Sequence, residues 1–81
     1  MNLNKLERRI KELDKFFPLL DSKDEVEKII ASEEFQNEIF KIKKEFDNSR
    51  INIFVDDNYI HIIVYQIYKD DSRGFSYRII Y

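Results

Sequence analysis

Apolar residues at Leu3, Leu6, Ile10, Leu13, Phe17 and Leu20 step by 3, 4, 3, 4 and 3 along the chain. That spacing lays a stripe along one face of an α-helix and also makes a heptad-like seam. Pro18 has no backbone N–H, and its ring would press on the carbonyl of Asp14. The first helix is therefore predicted to end near Phe16 or Phe17, with Leu19 and Leu20 in a buried corner. Ser22-Lys23-Asp24-Glu25 has the S-x-x-E form of a capping box, which starts a second helix at about Lys23. Its apolar residues Val26, Ile29 and Ile30 share a face, whereas Phe35, Ile39, Ile42 and Phe46 fall on the opposite side if the same helix is continued. Ser32 followed by Glu33 and Glu34 is a good N-cap, so the segment is broken there and a third helix starts at Glu33, an unbroken helix buried on both sides being the alternative. Asp47-Asn48-Ser49 stops it, with Asn48 expected in the left-handed conformation.

From Arg50 the period changes to two. Ile51, Ile53 and Val55 alternate with Asn52, Phe54 and Asp56 in a β-branched stretch that reads as the first strand. Asp57-Asn58 is placed as a two-residue hairpin turn, because both residues tolerate positive φ. The second strand is Tyr59 to Tyr68. A second turn over Asp70-Asp71-Ser72-Arg73-Gly74 leads to the third strand, Phe75 to Tyr81. The first turn sets Val55 opposite Ile60, Ile53 opposite Ile62 and Ile51 opposite Val64 on the core face, and setting Tyr68 opposite Phe75 adds Phe75, Tyr77, Ile79 and Tyr81 to that face. The prediction is an α+β fold, a single domain over residues 1–81 with a helical half 1–48 and a sheet half 50–81. N-terminal helices α1, α2 and α3 pack on a C-terminal three-stranded antiparallel β-meander of order 1-2-3, strand 2 central.

The other face of that sheet would carry Phe54, Ile63, Tyr65, Ile67 and Ile80, too apolar for water. Cover by the chain's own helices is the favoured expectation, and cover by a second molecule the alternative. The second apolar face and the seam of the first helix together make a homodimer a further expectation.

Eighty-one residues hold one core of modest stability, and without cysteine there is no disulfide framework and no thiolate metal site. Met1 to Arg9 are interrupted by charge every few positions, so neither a signal peptide nor a membrane span is expected and the protein is expected to be cytoplasmic. The net charge is −2, which argues against a strongly electrostatic nucleic-acid binder. Residues 21 to 38 carry seven acidic against two basic groups, between segments that are weakly basic. The band is either a solvated surface laced with pairs such as Glu7/Lys11, Lys23/Glu27, Asp24/Lys28 and Lys41/Glu45, or a docking surface for a basic partner.

Chemistry is sparse. His61 is the only histidine; as a general base it would need an orienting carboxylate, Asp56 or Asp57, and a substrate proton within reach, and the simpler reading is a half-buried sheet residue. Asp56-Asp57-Asn58 and Asp70-Asp71-Ser72 lack the alternating ligand pattern of a calcium loop and read as turns. Gly74 alone makes no phosphate-cradling loop. No cofactor, metal or catalytic residue is expected. Lys69, Arg73 and Arg78 with Tyr65, Tyr68 and Tyr77 would suit RNA, but four acidic residues cancel the four basic ones in that half of the chain. Helices followed by a hairpin is also the element order of winged-helix domains, with residues 33 to 47 in the recognition place. Glu33 and Glu34 there would repel phosphates, and the hairpin turn is too short for a wing.

The expectation is thus a small non-enzymatic protein-binding module, an inhibitor, antitoxin or immunity-type accessory protein. Its physical description is similar to that of small acidic mobile-element proteins that block nucleic-acid-handling enzymes, anti-CRISPR proteins among them. Asp24, Glu27, Glu34 and Glu38 would meet a basic groove on another protein, with Phe54, Tyr65 and Tyr77 as desolvated anchors. The alternatives are a nucleic-acid-binding regulator and, behind it, a small RNase toxin.

Overall fold

The structure, a computed structural model, describes residues 3–18, 20, 22–68 and 71–81. Helix α1 spans Leu3–Lys11 and tightens into a 3₁₀ stretch over Glu12–Phe16, so the helical path ends one residue short of the residue preceding Pro18. Phe17 closes it, its N–H donating to the Asp14 carbonyl at 3.0 Å. Of the corner expected at Leu19 and Leu20, Leu20 is half-buried against the core and Leu19 lies outside the described residues.

Helix α2 runs Lys23–Ala31, capped by Ser22, whose hydroxyl accepts the Glu25 N–H at 3.3 Å. Helix α3, Glu33–Glu45, begins two residues later because Ser32 is extended (φ −68°, ψ 151°) and interrupts the helical backbone. That single serine serves both ends. Its N–H donates to the Ile29 carbonyl, and its hydroxyl accepts the Phe35 N–H at 3.3 Å. The break lets Val26 of α2 and Phe35, Ile39 and Ile42 of α3 all point into one core, which an unbroken helix would forbid. After α3 the chain turns at Asn48 (φ 64°), where a left-handed conformation suits an asparagine.

Strands β1 (Ser49–Val55), β2 (Tyr59–Tyr68) and β3 (Asp71–Ile80) form an antiparallel sheet of order β1-β2-β3. The β1–β2 ladder has the expected register, with Val55 opposite Ile60, Ile53 opposite Ile62 and Ile51 opposite Val64. The turn between them is built differently from the expected one. Asn48 is the only non-glycine residue with positive φ among the described residues, so Asp57 and Asn58 turn without it. Instead the Asp56 carboxylate accepts the N–H groups of Asn58 (2.8 Å) and Tyr59 (2.7 Å) through Oδ1, and the Asp56 N–H donates to the Tyr59 carbonyl at 3.0 Å.

The second register is a correction. Tyr68 faces Asp71 rather than Phe75, and Phe75 faces Val64, so β3 begins four positions earlier than expected. Asp71 to Gly74 are strand, while Lys69 and Asp70 lie outside the described residues. Gly74 is where the sequence misleads. It is a ladder residue opposite Tyr65, and a β-carbon there would overlap the Val64 carbonyl oxygen and stand 2.7 Å from Tyr65 Cβ. Because the slip is even, face assignments are unchanged and Phe75, Tyr77 and Ile79 remain on the core side.

All three helices lie on that one side. α1 packs on β3 and α3, and α2 and α3 pack on each other and on β1. Leu6, Ile10, Leu13, Val26, Phe35, Ile42, Ile60, Ile62 and Val64 are fully buried between the layers. Phe16 and Phe17 meet the edge of the Phe35 ring at 5.3 and 5.5 Å, fixing the 3₁₀ corner to α3. The molecule measures 42 × 22 × 17 Å with a radius of gyration of 12.9 Å, against about 11.7 Å for a compact chain of this length. It is a two-layer slab rather than a sphere.

Candidate interaction surface

A sheet with helices on one side only leaves its other face without a roof. Phe54 (51% exposed), Ile63 (37%), Ile67 (42%) and Ile80 (74%) all stand on it, with Tyr65 partly exposed beside them. This overturns the expectation that the chain's own helices reach both faces. The reason lies in the helices themselves: each has a single buried stripe, and all three stripes already meet the inner face.

Across the middle of the open face run three residues in one row, Phe54 on β1, His61 on β2 and Arg78 on β3. The Phe54 and His61 rings stack at 4.8 Å and 15°. One row away, the Arg78 guanidinium lies over the Tyr59 ring at 5.3 Å. His61 Nε2 is 2.7 Å from Asp56 Oδ2, so Asp56, not Asp57, is the carboxylate that orients the imidazole. The hydrogen bond from His61, then the backbone N–H groups of Asn58 and Tyr59, hold the Asp56 carboxyl down at about 2, well below its ordinary 3.8. Tyr81 closes the same corner, its hydroxyl donating to the Asp56 carbonyl. An oriented imidazole is one part of a general base, but the pair sits on an open face, with its carboxylate already occupied in holding the turn. Among the described residues no cluster of His, Cys, Asp and Glu has the composition of a metal site.

The residues expected to bind a partner are dispersed over the molecule. Phe54 and Tyr65 share the open face. Tyr77 is on the opposite, helix-facing side, where its hydroxyl donates to Asp14 Oδ2 at 2.7 Å. Burial first, then the Asp14 carboxylate, pushes its phenol up to about 12. Asp24 and Glu27 lie on α2, and Glu34 and Glu38 on α3. Asp24, Glu27 and Glu34 are exposed, whereas Glu38 is drawn inward to Arg9 (3.7 Å) and Lys41 (3.7 Å). Glu27 pairs with Lys23 at 3.9 Å. Arg9 also holds Glu45 at 3.0 Å and contacts Glu12, so that with Glu38 it ties α1 to the middle and the C-terminal end of α3. Much of the acidic band thus serves as helix N-terminal charge and inter-helix pairing. Asp21 of that band is outside the described residues.

What sequence reasoning missed is Arg50; Arg78 is expected on this face from parity. Arg50 stands opposite Tyr65 on the open face and Arg78 opposite His61. The alternation that assigns Asn52 and Phe54 to this face extends back to Arg50, which is the signal that could have found it. No helix among the described residues is long and apolar enough to cross a membrane. In comparisons with protein families, curated proteins and solved structures, nothing matches this chain.

Proposed function

We propose that the protein is a non-enzymatic binding module for another protein, of the inhibitor, antitoxin or immunity kind, and that it docks through the open face of its sheet. The observation that carries this reading is the exposure of Phe54, Ile63, Ile67 and Ile80 on a single face. Three of the four are aliphatic. Aliphatic side chains bury well against a protein surface, whereas single-stranded nucleic acid is held by exposed aromatic faces. Here the π-face of Tyr59 is taken by Arg78, and Phe54 is stacked on His61. Relative to the acidic-helix expectation, the primary contact moves to the sheet, and Asp24, Glu27 and Glu34 become a flanking surface that tunes association rate more than affinity.

Capture from host lysate with immobilised wild-type protein, a Phe54→Ser/Ile63→Thr variant and a Glu27→Lys/Glu34→Lys variant tests this. A partner retained by the charge-reversed protein and lost by the sheet variant is the expected result. The reverse pattern moves the site back to the helices, and retention by both variants rejects the proposal.

A further inference from the structure

Among the described residues the sheet face carries two arginines and, at one corner, one carboxylate. Arg50 and Arg78 project from it, and the carboxylate, Asp56, is already saturated by His61 and two backbone N–H groups. With strands about 4.8 Å apart and about 3.3 Å per residue, Arg50 and Arg78 stand at opposite corners of a diagonal roughly 16 Å long. Ile63 lies at its midpoint, between the level of Tyr65, which faces Arg50, and that of His61, which faces Arg78.

Resting on the reading above, we propose that this face receives an extended acidic segment of a partner protein, carrying two carboxylates about four residues apart with an apolar side chain midway. In an extended chain, residues i, i+2 and i+4 point to one side and span about 13 Å, which the reach of two arginine side chains extends to the diagonal. The carboxylates would pair with Arg50 and Arg78, and the apolar residue would cover Ile63. Size argues for such a segment over a second copy of this chain. The face measures about 14 by 33 Å, so two faces pressed together would bury roughly 900 Å², short of the 1,200 Å² of a standard interface.

The test is selection from a random twelve-residue peptide display library on the purified 81-residue chain, with single-stranded RNA homopolymers titrated in parallel. Expected is a bound pool enriched in Asp and Glu at i, i+4 spacing, whose members bind Arg78→Gln or Arg50→Gln protein about tenfold more weakly, as loss of a charge-assisted hydrogen bond implies. A pool without carboxylate enrichment, or one indifferent to both substitutions, overturns the proposal. If that pool is still lost on the Phe54→Ser/Ile63→Thr variant, the docking face itself survives. No enriched pool, together with RNA binding that needs Arg78, overturns both.

Discussion

A side chain at Gly74 has no room, since its first carbon would meet the β2 backbone and the root of Tyr65 rather than the end of a flexible neighbour. Gly74→Ala is therefore expected to force β3 away from β2 and to lower stability by about 1–3 kcal/mol, the range for overpacking, read as a fall in urea midpoint. At Asp56 the expectation concerns pH. Its folded pKa is depressed to about 2 from 3.8, so its contribution to stability is present above the ordinary value and is lost as pH falls through about 2. Asp56→Asn is expected to be less stable than wild type at neutral pH, with the difference closing between pH 4 and pH 2. A constant difference across that titration would mean that His61 and the turn do not depend on the charge.

Ser32 terminates α2 and begins α3. Ser32→Ala leaves the Phe35 N–H without its acceptor, and a loss of about 1 kcal/mol is expected in denaturant unfolding, with helical circular dichroism otherwise kept. Elements were the most readable level of this chain. The starts at Lys23 and Glu33, the left-handed Asn48 and the β1–β2 register all followed from hydroxyl caps and alternation, because each is fixed by groups within a few residues of one another. The β2–β3 register was not readable in the same way. Glycine marks a turn by its freedom and a tight ladder by its size, and only the neighbouring strand distinguishes the two. The inward orientation of Tyr77 was legible from parity, yet nothing local announced that Asp14, 63 residues away, would take its hydroxyl.

As a whole, the molecule is a helical layer on a sheet whose far side is apolar and arginine-bearing. Side chains there are more exposed than those of the core, so trimming them should leave folding energy nearly intact while removing binding surface. Ile67→Thr and Ile80→Thr are expected to shift stability by no more than about 0.5 kcal/mol each and to reduce fluorescence of a hydrophobic dye bound to the native protein. A large drop in thermal midpoint would show that the far side supports the fold itself. The location of that side was legible from parity. Its lack of a roof was not, because three amphipathic stripes do not say in advance whether they will share one face or divide between two.

The meander order β1-β2-β3 has a kinetic corollary. Each strand pairs with its successor across a short connection, so loop-closure entropy is small and the hairpins can zip quickly. Docking of α1 onto β3 must instead join opposite ends of the chain. The ladder can therefore form before its inner side is covered, and for that interval the nascent sheet is sticky on both sides. Productive folding is then a race between arrival of the helices and collision with another unfinished chain, and dilution should favour the former.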